Sequence, residues 1–119
     1  MNVADLIARR FGIRTRAQQV PLVQTVGTSV VRVLPNNPNR LAFVIVNLSS
    51  NNVYVAWDLA VSTTRGVLLT PNGGSLTVVY EEDFETACWE LFAIADGAAS
   101  SIFVPEVVID RDVREEMVT

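Results

Sequence analysis

The hydrophobic positions of this chain fall into short segments, and each segment ends at turn-forming residues within about a dozen positions. The segments span 20–26, 29–34, 40–48, 53–57, 66–70, 75–80, 86–95, 100–104 and 106–109. No long helical pattern separates them, so parallel βαβ units are not expected. We predict an all-β fold: an antiparallel, jelly-roll-like β-sandwich of about eight short strands, preceded by a short N-terminal helix or arm.

The turns between the segments have recognisable chemistry. The loop 35–39 (PNNPN) contains two prolines and three asparagines, which cannot continue a strand ladder. The turn 71–74 (PNGG) is the strongest signal, because Asn and Gly adopt positive φ at little cost. The segment 40–48 between them is nearly all apolar. This predicts burial on both faces, or a strand in the middle of a sandwich.

Residues 2–11 have the pattern of a short amphipathic helix. Asn2 is a candidate N-cap and Gly12 a natural stop. The spacing of the apolar residues places them on one face: Val3, Leu6, Ile7 and Phe11. Because so short a helix is marginal alone in water, we expect it to dock on its own domain or on a neighbouring subunit.

These patterns divide the chain into three parts. Residues 1–19 form an N-terminal helix and basic arm, within which 13–19 have no periodicity and are interpreted as linker or arm. Residues 20–109 form the β-sandwich domain, and residues 110–119 form an acidic C-terminal tail.

The composition favours β-strands, and the net charge and the length of the apolar runs limit the classes of binding partner that we expect. Twenty residues are valine, whose branched side chain favours strands over helices. The formal net charge is −4, so binding of nucleic acid is not expected. The longest apolar run, Leu41–Val46, is too short to span a bilayer, and no signal peptide is evident. We therefore expect no membrane partner, and synthesis or assembly in a reducing interior.

The residue inventory offers little for catalysis. The chain has no histidine, and its single cysteine, Cys88, is interpreted as a small core residue. Zinc sites and histidine-dependent triads are thereby excluded, and there is no phosphate-binding loop. We predict that the protein is not an enzyme and has no cofactor or metal; a small hydrolase is the third-ranked alternative.

Two further patterns have alternative interpretations. The acidic cluster 81–85 (EEDFE) lacks the spacing of a calcium loop, so it is interpreted as a solvated loop. Asn47-Leu48-Ser49 matches a glycosylation acceptor and is interpreted as a chance match.

The aromatic residues raise the alternative of a sugar-stacking platform. The candidates for it are Tyr54, Trp57, Tyr80, Trp89 and Phe92. On strands, residues three apart face opposite sides, so Trp89 and Phe92 cannot share a platform, and neither can Tyr54 and Trp57. Core packing is therefore the favoured interpretation.

Opposite charges at the two ends are the most informative feature. Residues 1–19 carry four arginines against Asp5, a net charge of +3, whereas residues 106–119 carry five acidic residues against two arginines, a net charge of −3. Such ends can contact neighbouring subunits of complementary charge. The candidate subunit-interaction arm consists of Leu6, Ile7, Arg9, Arg10, Phe11, Arg14 and Arg16. The candidate contacts of the acidic tail are Asp110, Asp112, Glu115 and Glu116.

The middle of the chain resembles small β-sandwich virion structural proteins of tailed bacteriophages. The similarity lies in Asn37–Arg40, the following run LAFVIVNLSSNNVYVAW, the strand Gly66–Leu69 and the turn Pro71–Gly74. In that family, an N-P-x-R loop leads into a buried strand that ends in Asn-x-Ser. A V-Y-V hairpin, a short hydrophobic strand and a P-x-G-G turn follow. The similarity covers residues 35–80.

This resemblance implies a capsid decoration (cement) protein, or another small head or tail component. Such proteins sit on the shell as oligomers, often trimers, and clamp neighbouring capsid subunits. The expected partners are therefore the major capsid protein or other virion subunits and further copies of this chain, with a trimer favoured. The expected location is the virion, assembled in the host cytoplasm. The alternative is a carbohydrate- or receptor-binding module of a phage tail.

Overall fold

A computed structural model describes residues 2–19 and 25–110 of the chain. The helices in these residues are α1 (Val3–Phe11), α2 (Tyr80–Asp83) and a 3-10 helix (Phe84–Cys88). The strands are β1 (Thr15–Gln19), β2 (Thr25–Val26), β3 (Val31–Leu34), β4 (Arg40–Asn47), β5 (Val53–Ala56), β6 (Val67–Leu69), β7 (Ser75–Val79), β8 (Leu91–Ala95), β9 (Ser100–Phe103) and β10 (Pro105–Ile109). The predicted all-β class is confirmed.

The strands form eight lanes in two antiparallel sheets. β9 and β10 lie one after the other along one edge of β4 and form a single lane. β1 pairs with β10, and β2 pairs with β9, on the other edge of that lane. The first sheet therefore has the order β1/β2, β9/β10, β4, β7, and the second has the order β3, β8, β5, β6. Along the chain, the first lane pairs with the eighth, the second with the seventh, the third with the sixth and the fourth with the fifth. This rolled-hairpin pairing defines a jelly roll, as predicted.

The side chains of β4 alternate between two environments. Phe43 and Ile45 point into the core between the sheets, whereas Ala42, Val44 and Val46 point outward and are half-buried. Of the two environments predicted for this strand, the middle of a sandwich is the one observed. Both sheets contribute to the core, which consists mainly of valine, leucine and alanine. Such interdigitated apolar burial is the main stabilising contribution in a domain of this size.

Three segments differ from their predicted structure. The acidic cluster 81–85, interpreted as a solvated loop, lies in α2 and at the start of the 3-10 helix. The expected linker at 13–19 contains β1, which pairs with β10 over five residue positions. β1 is a polar edge strand held by backbone hydrogen bonds, so no alternation of apolar residues reveals it. The predicted strand at 86–95 is a strand only from Leu91, because the 3-10 helix Phe84–Cys88 precedes it.

A buried ion pair links several parts of the fold. The Nε of Arg40, the first residue of β4, donates to the Oε2 of Glu106 on β10 at 2.5 Å, and both side chains are almost fully buried. The other guanidinium nitrogens donate to the backbone oxygens of Pro35 (2.8 Å) and Trp89 (3.2 Å). The Oε1 of Glu106 accepts from the Nε2 of Gln18 on β1 at 2.7 Å. One network thus joins three lanes of the first sheet to two connecting loops.

Glu106 therefore belongs to the sandwich and not to the acidic tail with which its charge was counted. Its carboxylate is neutralised by Arg40 inside the domain. A buried charge has to be paired and hydrogen-bonded in this way, because leaving water is otherwise too unfavourable.

A second buried polar side chain fixes the opposite end of β4. The Nδ2 of Asn47 donates to the backbone oxygens of Asn51 (2.7 Å) and Leu69 (2.9 Å), and its Oδ1 accepts from the backbone and the hydroxyl of Ser49. Asn47 is fully buried. Its amide is therefore inaccessible in the folded domain, in keeping with a chance match to a glycosylation acceptor.

The predicted turn at 71–74 is confirmed, and it requires its glycines. Asn72 and Gly73 both have positive φ, 61° and 117°. A Cβ on Gly74 would lie 2.3 Å from the backbone nitrogen of Thr70, so a larger residue would force the turn apart. The backbone oxygen of Gly74 accepts from the N–H of Asn47, which connects this turn to the end of β4.

The Arg40–Glu106 network generates a stability prediction. Arg40→Met leaves a buried carboxylate without its cation, so we expect the free energy of unfolding to fall by about 3–5 kcal/mol in urea denaturation. The double variant Arg40→Met/Glu106→Leu replaces both charges by apolar groups and should lose less stability than Arg40→Met alone.

The exposed pair Arg65–Asp58 (3.7 Å) provides the matched control for this cycle. Arg65→Met should change the free energy of unfolding by less than about 1 kcal/mol, because exposed ion pairs contribute little. An Arg40→Met effect no larger than that of Arg65→Met would contradict the structural role assigned to the network.

Candidate interaction surface

Helix α1 has well-defined ends. The Oδ1 of Asn2 accepts from the backbone N–H of Asp5 at 2.9 Å, which is the N-cap arrangement expected from the sequence. At the other end, Gly12 is left-handed (φ 70°) and its N–H donates to the backbone oxygen of Ala8. The predicted helix and both of its boundaries are confirmed.

Most of the apolar face of α1 is exposed, and only its Ile7 is half-buried. Val3 is 72%, Leu6 54% and Phe11 55% exposed, and Ala8 is the only buried residue of the helix. Within the part of the chain that the structure describes, α1 makes no extensive contact with any strand. An amphipathic helix without a covered apolar face has little reason to be stable by itself.

The basic residues of the predicted arm divide into two groups. Arg14 forms an ion pair with Asp5 at 3.0 Å, which ties the base of the arm to its own helix. Arg9 and Arg10 are exposed, with no ion pair among residues 2–19 and 25–110, and the guanidinium of Arg10 lies over the ring of Phe11 at 5.7 Å. These two arginines leave α1 with positive charge at its C-terminal end.

The structure brings the base of the arm next to the start of the tail. The backbone N–H of Asp110 donates to the backbone oxygen of Arg14 at 2.8 Å. Asp110 and Arg16 also line the same polar groove of about 190 Å³, together with Asn37, Asn39 and Gln18. The other predicted tail contacts, Asp112, Glu115 and Glu116, lie outside the described residues.

The outward side of the first sheet is an extended uncharged surface, which we call the outer face. Its central row crosses four lanes through directly paired residues: Ala17, Val107, Ala42 and Val79. Adjacent rows add Pro105, Val44 and Thr77, and then Phe103, Val46 and Ser75. None of these side chains is charged, whereas the solvent side of an antiparallel sheet is ordinarily polar. A contiguous apolar surface of this kind is typical of an interaction site.

A shallow groove lies within the outer face. It encloses about 120 Å³ and is lined mainly by Ala17, Ala42, Val44, Pro105 and Val107. The groove is a local depression into which an apolar side chain of a partner can insert.

The segment 80–89, which we call the cap, borders the outer face. It begins directly after Val79 and contains exposed aromatic side chains: Tyr80 (40%), Phe84 (79%) and Trp89 (46%). Three exposed carboxylates alternate with them, Glu81, Glu82 and Glu85, and no ion pair among residues 2–19 and 25–110 involves them. The cap thus combines apolar surface with uncompensated negative charge.

Phe84 is also held in an unfavourable backbone conformation. Its φ is 56° and its ψ −136°, a region favoured by glycine. A bulky residue that is both strained and exposed gains nothing from burial in its own domain. Strained positions of this kind concentrate at functional surfaces.

Cys88, metal binding and membrane insertion were also considered from the sequence. Cys88 is partly buried, and its Sγ donates to the backbone oxygen of Arg40 at 3.2 Å. In the described ranges, no cluster of three or more Cys, Asp or Glu residues is placed to hold a metal ion. Over the same residues, no helix is long and apolar enough to cross a membrane.

The aromatic residues proposed for a sugar platform are dispersed. Trp57 packs against the core and Phe92 is 7% exposed, so neither presents a free ring face. Tyr54 lies on the outward side of the second sheet, opposite Ile94 and Leu68. Tyr80 and Trp89 are the candidates that remain exposed, and both belong to the cap.

Sequence reasoning identified the amphipathic helix of the candidate arm but not the outer face. The sequence did contain a signal for the outer face. Residues 41–46 are continuously apolar, and in β10 the adjacent Val107 and Val108 interrupt the alternation of polar and apolar residue types. Continuous apolar runs are typical of strands that are covered on both faces. Among residues 2–19 and 25–110, core residues cover the inner face of β4, whereas Ala42, Val44 and Val46 on its outer face are half-buried.

No protein-family model matches this chain, and no curated protein sequence matches it significantly.

The strain at Phe84 generates a prediction. Phe84→Gly should raise the free energy of unfolding by about 0.5–1 kcal/mol, since glycine adopts this conformation without steric conflict and little packing is lost. Phe84→Ala removes the same ring but keeps the strain, so it should give no such increase. Urea denaturation of both variants measures the difference, and equal stabilities would contradict the strain.

Proposed function

We propose that this protein is a structural component of a virion, and specifically a decoration or cement protein that binds the head of a tailed phage through protein–protein contacts. The residue pattern of 35–80 motivates the virion setting. The described surfaces support an assembly role in which the jelly roll is a rigid body and α1 is the attachment element.

The observation that carries the proposal is the exposed apolar face of α1. Val3, Leu6 and Phe11 are each more than half exposed, on a helix that is capped at both ends. Amphipathic helices of this kind bind by laying their apolar face into a groove of a partner. Because the last turn of α1 carries Arg9 and Arg10, this helix suits a partner groove that is bordered by acidic residues.

The side-chain inventory also suits binding better than chemistry. The chain lacks histidine, and within residues 2–19 and 25–110 the two buried charged residues, Arg40 and Glu106, satisfy each other inside the sandwich. The two grooves described above are shallow and lie on the first sheet. Repetition around a shell allows contacts that are individually weak to add up to stable attachment.

Binding of a sugar or a receptor is the second candidate. The exposed rings of Tyr80 and Trp89 in the cap favour it, because stacking on an aromatic ring is a usual mode of sugar recognition. A change in tryptophan fluorescence on titration with host-surface glycans, lost in Trp89→Ala, would support this candidate over shell attachment.

Attachment can be tested on shells that lack this protein. The purified protein should bind them saturably when scored by electron microscopy and co-sedimentation. Leu6→Asp/Phe11→Asp should weaken binding by at least about 100-fold, since two buried apolar contacts of about 1.5–3 kcal/mol each are lost.

A matched control is Leu59→Asp, because Leu59 is 71% exposed and lies outside the arm. It should bind shells like the unaltered protein. Absence of saturable binding at both low and moderate salt would overturn the proposed function, as would equal binding by the arm variant and the unaltered protein.

A further inference from the structure

We propose that α1 of one copy of this protein docks on the outer face of the first sheet of a second copy, with its arginines against the cap of that copy. This inference deepens the proposed assembly role by naming a partner, and it rests on that role only in taking α1 as an attachment element.

The apolar surfaces of the two elements match. The helix presents Val3, Leu6 and Phe11, and the outer face presents a row of valine and alanine with a groove of about 120 Å³ beside it. The named side chains of α1 are more than half exposed, none of the row's side chains is fully buried, and α1 makes no extensive contact with the rest of residues 2–19 and 25–110. Docking one on the other removes both from water, which is the favourable contribution to association.

The dimensions of the helix and the face are also compatible. A helix of nine residues is about 14 Å long, at 1.5 Å per residue. Four strand lanes spaced about 4.8 Å apart span about 14 Å, and five residues of strand span about 17 Å. The whole of α1 therefore fits within the outer face.

Charge complementarity selects the first sheet. Glu81 and Glu82 follow directly on Val79 at the border of the outer face, and they have no ion pair among the described residues. Arg9 and Arg10 of α1 have none either. A helix lying on the outer face can place its arginines against these carboxylates.

The outward side of the second sheet is a poorer match. Arg32 lies on it, opposite Phe92, and is paired with Glu90 at 3.4 Å. The nearby carboxylate of Asp58 is paired with Arg65 at 3.7 Å. Two carboxylates close to this side, Glu90 and Asp58, already have their cations, and Asp96 accepts hydrogen bonds from Asn52, so this side offers an arginine-bearing helix less attraction than the cap does.

The connection between α1 and β1 favours a second copy over the same chain. The connection consists of residues 12–14. Gly12 ends the helix, and Arg14 is held by its ion pair with Asp5 and by the N–H of Asp110. In this arrangement α1 makes no extensive contact with its own sheet among residues 2–19 and 25–110. Because a helix on a sheet is a heterologous contact, reciprocal exchange gives a closed dimer, and continued exchange gives a ring when the rotation between copies closes.

A charge-reversal experiment tests this docking on the pure protein, in the absence of shells. The arm-reversed variant is Arg9→Glu/Arg10→Glu, and the cap-reversed variant is Glu81→Arg/Glu82→Arg. The unaltered protein should be oligomeric in the micromolar range by sedimentation velocity. Each variant alone should dissociate at least about 10-fold more readily, because arm and cap then carry the same charge.

Mixing the two variants gives the decisive result. The negative arm of one then meets the positive cap of the other, and the positive arm meets the negative cap, so hetero-oligomers should form with affinity close to that of the unaltered protein. A single chain carrying all four substitutions should also regain self-association. Circular dichroism of each variant verifies that its sandwich is intact.

Three outcomes would overturn the inference. A monomeric unaltered protein throughout the micromolar range excludes a second copy as the occupant. Failure of the mixture to associate excludes the arm–cap contact between copies. Val107→Asp on the outer face should also weaken self-association, and an unchanged oligomer in that folded variant excludes the outer face as the docking site.

Failure of this inference can be distinguished from failure of the proposed function. Shell binding by a monomeric protein would retain the decoration role while overturning arm exchange. Self-association without shell binding would retain arm exchange while overturning the decoration role.

Discussion

The fold depends on how the chain accommodates one buried ion pair. Arg40 stands at the start of the central strand and Glu106 in the strand beside it, and neither side chain reaches water. Every other polar atom near them then has a defined position: the oxygens of Pro35 and Trp89 accept from Arg40, and Gln18 donates to Glu106. The edge strand β1 and the loop before β8 are positioned by this network. The cap, which borders the proposed docking surface, is attached to the network through the backbone oxygen of Trp89, and Gln18 attaches β1, the strand that follows the arm.

The arrangement separates two kinds of apolar surface. Between the sheets, the side chains of both sheets bury one another and stabilise the sandwich. On the outer face, Ala42, Val44 and Val46 are only half-buried, and on α1 a second apolar set, Val3, Leu6 and Phe11, is more than half exposed. A soluble monomer has no use for either, and together they increase the tendency to associate. In the proposed assembly both surfaces are buried in contacts between copies. The opposite charges of the arm and the cap then determine how the helix is oriented on the outer face.

Sequence patterns predicted the fold well where packing determines structure. The apolar run at 40–48, the turn at 71–74 and the capped helix at 2–11 each carry local chemistry that admits few alternatives, and their structures agree with it. β1 was missed because an exposed edge strand is specified by backbone pairing. The role of Glu106 was missed because charge counted along the chain contains no information on burial. A lone Glu between apolar residues in a strand, with a lone Arg opening another, was the available signal.

The interaction surface was only half predictable for a similar reason. The arm is continuous in sequence, so its amphipathic spacing and its arginines can be identified directly. The outer face gathers residues from β1, β4, β7, β9 and β10, and the register of the strands alone shows that they form one surface. Likewise, the strain at Phe84 is a backbone property that residue type does not reveal.

Hydrogen–deuterium exchange at a series of protein concentrations tests the central claim most directly, because it measures whether α1 is covered and by what. If copies cover one another, the amides of α1 gain protection as concentration rises through the micromolar range, while those of β4 stay equally protected throughout. Amides of α1 that exchange freely at every concentration, or that are protected to the same degree at every concentration, would contradict the account.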